Sequence, residues 1–526
     1  MWRTARNWLQ HWNGTETERA LQTIHERFIR YARQQPDKAL FERPGLPEVT
    51  FGAMHEQVAR VAGALMALGV VPGDRVAAQV EKSPEAIALY LATLQLRGVF
   101  LPLNTAYTAG EIDYFLTDAA PRLFVCDPSQ HGAHLHRQSA AMSVQTLGAT
   151  GDGSLMDHAA HVAPVHTSAT CAPDDRAAIL YTSGTTGRSK GAVLTHRNLA
   201  SNTDALLECW NFTASDRLIH ALPIFHTHGL FVAVNMALAS GATMIFLPGF
   251  DADQILAQMR RATVLMGVPT FYTRLLQSPA LTREGAAGMR LFISGSAPLL
   301  PDDHRAFLER TGHVILERYG MTETCMIASN PLDGPRVPGA VGLPLPGVSV
   351  RITGRETGKA LPEGAIGMIE VKGPNVFEGY WNMPEKTAAE FRGDGFFITG
   401  DLGQIGEDGY LRITGRDKDL VISGGYNVYP KEVEEALDAL PGVLESAVFG
   451  LPHADLGEAV TAVVVPRNGA TLDPDALRAA IRGRLAGYKL PRRILIAASL
   501  PRNVMGKVQK AELRKAHADK PAGPGV

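Results

Sequence analysis

Leu180-Tyr-Thr-Ser-Gly-Thr-Thr-Gly-Arg-Ser-Lys-Gly191 is the stretch around which this chain is organised. The apolar run Ala177–Tyr181 leads into it and reads as a buried strand. Between that strand and the apolar Ala192-Val-Leu194 stand the hydroxyls of Thr182, Ser183, Thr185 and Thr186, the glycines Gly184 and Gly187, and Lys190. Hydroxyls and bare backbone N–H groups can wrap an anionic oligophosphate, and glycines let the backbone come close to it. A cluster of Gly, Ser and Thr is otherwise most often a surface loop. Here the flanking apolar segments hold it on a rigid base. A Walker A loop needs a glycine, four residues, then Gly-Lys-Ser/Thr. Counted from Gly184, the second glycine position is Ser189, so this is a phosphate loop of another kind.

Outward from the loop, the chain alternates strand and helix. Arg75–Val80 is predicted as a strand, followed by a helix capped by Ser83 with Pro84 at its first position. Strands are expected at Val99–Leu103 and Arg122–Cys126, with Thr108-Ala-Gly-Glu111 as a capping box between them. Further strands are expected at Leu218–Leu222, Thr243–Leu247, Val264–Gly267, Leu291–Ser294 and Val314–Tyr319. This alternation predicts an α/β fold with mainly parallel sheets covered on both faces. Residues 130–174 have weak periodicity and read as a peripheral segment. From Pro338 to Arg416 the Gly-rich β runs predict a small β barrel or sheet closing the large domain. The charged strip Arg416–Asp419 then leads into short βα units, a small mobile α+β domain. The expected division is 1–415 and 416–526, with the tail after Lys520 disordered.

At 526 residues the chain is long enough for two or more domains. A formal net charge of −2 gives no reason to expect a nucleic-acid partner. Cys126, Cys171, Cys209 and Cys325 lie far apart without a CxxC pair, which argues against a metal cluster or disulfide framework. The apolar window Leu230–Leu247 is broken by Asn235, Ser240 and Gly241, so it reads as helix, turn and strand rather than a membrane span. The basic, aromatic start Met1–Leu9 is followed by Glu16, Glu18 and Glu26. Transit peptides are poor in acids, so a plain helix and a cytoplasmic location are expected, with an organelle matrix as the alternative.

Three strands end in marked turns: Pro223–Gly229, Val268–Arg274 and Gly295–Pro298. Ligands of open parallel sheets sit beyond the carboxyl ends of strands, so these turns are candidate walls of one site. Gly320-Met-Thr-Glu-Thr324 offers a hydroxyl and a carboxylate suited to a phosphate and its Mg²⁺, and also suits a helix N-terminus. Thr399-Gly-Asp401 reads by itself as a turn, although its Asp could accept two ribose hydroxyls.

With Thr182–Gly191, these motifs, Gly415–Asp419 and Pro501-Arg-Asn-Val-Met-Gly-Lys507, the chain resembles the adenylate-forming superfamily of acyl-CoA synthetases, adenylation domains and luciferases. The resemblance covers essentially everything beyond Thr23. Within the superfamily, Ala221–Phe231, Val264–Pro279, Arg290–Leu300 and Gly424–Pro430 are similar to malonyl-CoA synthetases. The resemblance implies an AMP-forming acid–thiol ligase using ATP, Mg²⁺ and coenzyme A on malonate. It implies that Thr182–Lys190 hold the β- and γ-phosphates, and that Glu323 binds Mg²⁺ with Thr322 near the α-phosphate. Gly295, Ser296 and Ala297 line the adenine, with Tyr319 stacked on it beside Gly320 and Met321, and Asp401 and Arg416 hold the ribose. Lys507 bridges the substrate carboxylate and the α-phosphate. Lys418 is the hinge about which the small domain turns to present Ser423, Gly424, Gly425 and Tyr426 to CoA. Lys507 also resembles sites of regulatory acetylation, which would bring an acetyltransferase and a deacetylase as partners.

The acyl pocket decides the substrate. Amino-acid adenylation domains carry an Asp after the residue equivalent to Phe225. This chain has His226, which excludes an amino acid on that pattern. A second substrate carboxylate needs a cation and donors. A buried Arg274 is the expected cation, with His226, Thr227 and Ser294 as donors and Met326 bounding the pocket.

Overall fold

The computed structural model describes residues 22–182, 189–424, 426–453, 456–503 and 506–518. The phosphate-loop residues Ser183, Gly184, Thr185, Thr186 and Gly187, and Gly425 of the CoA segment, lie outside the described residues. So do the start of the chain and its tail.

Two mainly parallel sheets form the large N-terminal domain. The seven-stranded sheet runs in the order Gly379–Tyr380, Lys190–Thr195, Arg176–Thr182, Val99–Pro102, Arg75–Gln79, Leu123–Cys126 and Ser143–Thr146. The nine-stranded sheet runs from Leu343–Pro344 through Cys325–Ser329, Leu316–Met321, Leu291–Ser294, Val264–Gly267, Arg217–His220, Thr243–Phe246 and Ala39–Glu42 to Val49–Thr50. Its six central strands are parallel, and both edges are antiparallel. Central strands such as Val99–Pro102, Leu123–Cys126 and Val264–Gly267 are apolar along their length, as strands covered by helices on both faces are. One large cluster of buried side chains, among them Phe28, Phe41, Tyr90, Trp210, Tyr272 and Phe292, fills the space between the layers.

Local signals are met where they were strongest. Ser83 Oγ accepts the Ala86 N–H at 3.1 Å, with Pro84 in the first helical turn. Thr108 and Glu111 close a reciprocal capping box on the helix Ala109–Ala119. The window at 230–247 is a π-helical segment His228–Val234, the helix Asn235–Ser240, a left-handed Gly241 and the strand Thr243–Phe246.

Three readings are corrected. The segment 130–174 is not wholly peripheral: Ser143–Thr146 adds a parallel edge strand to Leu123–Cys126, a pairing its polar sequence conceals. Thr399-Gly-Asp401 is not a turn but the middle of the nine-residue strand Phe397–Ile405. Gly320–Thr324 opens no helix. It is the tip of an antiparallel hairpin in which Gly320 faces Met326 and Met321 faces Cys325. Cys325 takes a left-handed φ of 49° to close that hairpin.

The closing β unit is a four-stranded antiparallel sheet, Ser349–Thr353, Gly367–Lys372, Phe397–Ile405 and Leu411–Arg416. It is tied to the nine-stranded sheet by a bridge between Gly342 and Leu411. The separate C-terminal domain holds its own sheet, in which the long strands Val443–His453 and Gly457–Pro466 pair antiparallel. Its own apolar core includes Val421, Val433, Leu437, Val460 and Ile494.

Candidate active site

Strand register builds the site. In the nine-stranded sheet His220 pairs with Met266, Gly267 with Ser294, and Ser294 with Glu317. The carboxyl ends of four strands therefore form one row. The turns beginning at Pro223, Val268 and Gly295 and the hairpin at Gly320 all leave from it, as ligand sites on parallel sheets require. A cleft of about 740 Å³ lined by Arg97, Arg176, Arg197 and Trp381 opens instead on the seven-stranded sheet, at the amino ends of Val99–Pro102 and Arg176–Thr182. Its arginines are already paired with Asp175, Glu378 and Asp174, so it lacks the free groups of a reactive site.

A second register brings together the two residues expected to hold ribose. Asp401 and Arg416 are direct cross-strand partners, and Arg416 Nε lies 2.9 Å from Asp401 Oδ1. The Tyr319 hydroxyl donates to Asp401 Oδ2 at 2.5 Å, and the Asp401 N–H donates to Thr399 Oγ1 at 3.0 Å. The Asp401 carboxylate beside Arg416 holds the guanidinium pKa above its usual value. The tyrosine expected to stack on adenine is thus locked to the carboxylate expected to hold ribose. Beside them, Ser296 sits at a left-handed φ of 72° with its hydroxyl 3.5 Å from His228 Nδ1. Strain of this kind in a residue other than glycine accumulates at functional sites.

The acidic end centres on Glu323. Its carboxyl is buried, and burial raises its pKa. Its only side-chain hydrogen bond among the described residues is the Tyr380 hydroxyl at 3.1 Å, and no ion pair reaches it. A buried carboxylate that Lys190 and Arg416 influence only from a distance, with no direct ion pair among the described residues, is chemically suited to a hard divalent cation. Tyr380 also reaches Glu390 Oε2 at 2.6 Å, and Glu390 pairs with Lys190 at 3.2 Å. Lys190 lies 4.2 Å from the Tyr380 ring centroid. Tyr380 and Glu390 carry no sequence motif. They join the site because Gly379–Tyr380 pairs with Ala192 and Val193 beyond the phosphate loop.

Lys507 comes from the C-terminal domain. Gly506 packs on Thr270 of the helix Pro269–Gln277, and Arg467 pairs with Asp302 at 2.7 Å across the same boundary. Lys507 remains open to solvent within a cleft that otherwise surrounds it. That surround, with Arg416 adding to it and Asp401 opposing, pulls its pKa down to about 8. His226, half-buried, is held neutral with a pKa of about 4, chiefly by desolvation and then by Arg318 and Lys507. Its Nδ1 accepts the His228 N–H at 3.5 Å, so the other ring nitrogen carries the proton and is the donor.

The residues expected to donate to the acyl substrate are Thr227, Ser294 and His226. Thr227 and Ser294 are buried, and both hydroxyls lack partners among the described residues. Met326 is buried, with its side chain over Gly320. Arg274 departs from expectation. It is exposed on the last turn of the helix Pro269–Gln277, 5.4 Å from the Phe250 ring. The helix begins directly after the strand and gives its buried face to Phe271, Tyr272 and Leu275. The buried arginine is Arg318, which the sequence reading passed over. Strand alternation was the available signal, since Arg318 must face away from its neighbour Tyr319.

The segment expected to meet CoA includes the paired strands Val421–Ser423 and Tyr426–Val428. Ser423 is buried, Gly424 is exposed with a φ of 59°, and Tyr426 is 60% exposed and stacked on Tyr488 at 4.7 Å. Lys418 is exposed in the 3₁₀ turn Asp417–Asp419.

This architecture is that of an adenylate-forming acyl-CoA ligase, and the chain belongs to the AMP-binding enzyme family, whose family model matches residues 28–381. The AMP-binding enzyme C-terminal domain matches residues 432–507. The chain is 58% identical to MatB from Rhodopseudomonas palustris, covering 95% of this chain and 99% of that one, with a TM-score of 0.92 to the ATP-bound crystal structure and 0.82 to the apo one. It is 37% identical to a malonate–CoA ligase of Arabidopsis thaliana over 85% of this chain and 78% of the relative. It is 35% identical to a feruloyl-CoA synthase of Amycolatopsis over 93% and 97%. ATP and CoA are accordingly its co-substrates. No helix among the described residues is long and apolar enough to cross a membrane.

Proposed function

We propose that the chain is a malonyl-CoA synthetase. Malonate attacks the α-phosphate of ATP to give malonyl-AMP and pyrophosphate, and the CoA thiol then displaces AMP. The single observation that carries the choice of malonate is a pair of buried hydroxyls, Thr227 and Ser294, without partners among the described residues, with neutral His226 next to Thr227 in the chain. An aryl or medium-chain acid would meet unsatisfied donors there, at a cost of roughly 1–3 kcal/mol each. The Arabidopsis malonate–CoA ligase supports the same reading. The rival, an acid like that of the feruloyl-CoA synthase, calls for an apolar slot. A silent nucleotide-binding homologue would have no need of Glu323, Asp401, Arg416 and Lys507 together.

In this reading Lys507 holds the attacking carboxylate against the α-phosphate while Asp401 and Arg416 fix the ribose. Thr182, Lys190 and the loop between them hold the distal phosphates, and Thr322 supports the α-phosphate. Glu323 would hold Mg²⁺, which supplies charge neutralisation to the leaving pyrophosphate. Gly295, Ser296, Ala297, Gly320 and Met321 frame the adenine. Arg274 stands at the mouth of the acyl pocket, on the helix face it shares with Thr270 one turn earlier. The domains divide at Arg416, and rotation about Lys418 presents Ser423–Tyr426 to CoA for the second step. The open position of Lys507 leaves it reachable by an acetyltransferase, and the expected compartment is the cytoplasm.

Pyrophosphate release measured with malonate, methylmalonate, acetate and benzoate, with and without CoA, tests this. Malonate is expected to exceed acetate by about 10⁴ in kcat/KM, because a monocarboxylate leaves the polar pocket unpaired. Preference for benzoate or acetate would overturn the malonate assignment.

A further inference from the structure

His220 is a buried histidine at the carboxyl end of the strand Arg217–His220, and the mechanism above does not use it. It is 1% exposed, and its Nδ1 has no hydrogen-bond partner among the described residues. A buried polar atom left unpaired costs roughly 1–3 kcal/mol, and an aliphatic side chain would fill the same space without that cost. The one bond that the ring does make therefore calls for an account.

That bond runs from Nε2 to the Gly229 carbonyl at 2.8 Å. A carbonyl only accepts, so the ring carries its proton on Nε2. Burial first, and Lys82 second, hold its pKa well below the usual histidine value, so the ring is neutral and keeps this tautomer. The Gly229 carbonyl belongs to the peptide Gly229–Leu230, which is one rigid plane. The N–H of that same peptide donates to the His226 carbonyl at 2.9 Å. His220 thus grips one edge of a plane whose other edge holds the backbone of His226.

The plane has little room to shift by itself. A Cβ at Gly229 would lie 1.9 Å from the Pro223 carbonyl oxygen, so the end of the turn Pro223–Gly229 is pressed against its start. Gly229 lies in the π-helical segment His228–Val234, a winding that is rare and found mostly at functional sites. His220 is itself braced. Its carbonyl accepts the Leu247 N–H at 3.0 Å and Lys82 Nζ at 2.8 Å, and its ring centroid lies 5.1 Å from that of Phe246. Lys82 stands just beyond the strand Arg75–Gln79 of the seven-stranded sheet, so the brace joins the two sheets.

We propose that His220 is a positioning residue for the acyl end, which sets His226 against the substrate through the Gly229–Leu230 peptide. This deepens the malonate reading and rests on it. His226 carries the donor nitrogen, and His220 fixes the backbone from which that ring hangs.

The test is initial-rate pyrophosphate release with malonate for wild type, His220→Asn and His220→Gln, each alone and combined with His226→Ala, alongside the KM for ATP. The amide nitrogen of Gln can stand where Nε2 stands, whereas that of Asn falls short of the Gly229 carbonyl. In His220→Asn, kcat/KM for malonate is expected to fall about 10² fold, the cost of a misplaced contact, while the KM for ATP stays within about twofold. His220→Gln should recover at least about tenfold of that loss. In the His226→Ala background His220→Asn should cost less than about threefold, because the group being positioned is gone. Where the double variant is too slow to read, the difference between Asn and Gln alone decides. Equal rates in Asn and Gln, or a loss that persists in full without His226, overturn the assignment and leave His220 a core residue. If His220→Asn does not fold, His220→Leu replaces it under the same criteria. A wild type that prefers malonate while both variants match it removes the role of His220 alone. A wild type that prefers acetate or benzoate removes the malonate reading and this one with it.

Discussion

Gly506 rests against Thr270. A Cβ built on this glycine would lie 3.0 Å from the threonine Cγ2, and its φ of +73° is one that side chains disfavour. This contact seats the lysine loop of the C-terminal domain on the N-terminal helix Pro269–Gln277 and puts Lys507 beside Asp401 and Arg416. The higher similarity to the ATP-bound relative than to its apo form, 0.92 against 0.82, fits the same arrangement. Gly506→Ala should therefore slow adenylate formation by about tenfold, since roughly 1–2 kcal/mol of left-handed strain is added where the loop must dock. Lys507→Ala should slow it about 10²–10³ fold. Both variants should still make thioester from supplied malonyl-adenylate. Comparing the two half-reactions checks this, and an equal loss in both would remove Lys507 from the first step.

The pKa of Lys507 gives the first step a pH signature. The group is charged below about 8 and neutral above it. With adenylation drawing on the ammonium as proposed, kcat/KM for pyrophosphate release should decline as pH rises through that value. Lys507→Arg should lose the basic limb, because a guanidinium stays charged. A limb that persists unchanged in the arginine variant would belong to another group.

If Arg416 and Asp401 hold the ribose as proposed, they couple ATP binding to folding. Arg416→Met strands a buried carboxylate whose remaining hydrogen bond among the described residues comes from the Tyr319 hydroxyl. The expected cost is about 2 kcal/mol, below the figure for fully buried pairs because Arg416 is partly solvated. The KM for ATP should rise together with a fall of a few degrees in Tm. A variant with normal ATP affinity and lowered Tm would make the pair purely structural.

Acid should destabilise the large domain through His25 and His196. Both rings are buried, and desolvation lowers their pKa values from 6.5 to about 3 and about 4. Because the folded pKa values are depressed, the unfolded chain binds more protons below pH 6.5. Stability is then full above pH 6.5 and falls as pH drops toward 4, by at most about 1.4 kcal/mol per pH unit for each ring. Urea midpoints at pH 7.5 and 5.0 measure this, and His196→Gln should flatten the dependence. An unchanged slope in that variant would place the acid sensitivity elsewhere.

The sequence by itself determined what depends on local chemistry. Ser83-Pro84 and the Thr108 and Glu111 pair start helices because their side chains meet the free N–H groups of their own first turns. Apolar runs such as Val264–Gly267 and Leu291–Ser294 are strands with the bounds their hydrophobicity marks. The adenylate-forming class was legible for the same reason, since a phosphate loop is a contiguous backbone feature. Only the tertiary structure decided which distant residues share a space. Thr399–Asp401 looks like a turn until its pairing with Leu411–Arg416 makes it strand and brings Arg416 to Asp401. Tyr380 and Glu390 reach Lys190 and Glu323 through a two-residue strand that no periodicity announces. Arg274, in Tyr272-Thr-Arg-Leu-Leu276, and Arg318, in Leu316-Glu-Arg-Tyr-Gly320, are not told apart by their sequence neighbours. One is exposed because its helix turns it outward, and the other is buried because strand alternation and the bare Gly295 turn it in. Burial and charge pairing are properties of neighbours in space, and the linear chain does not name them.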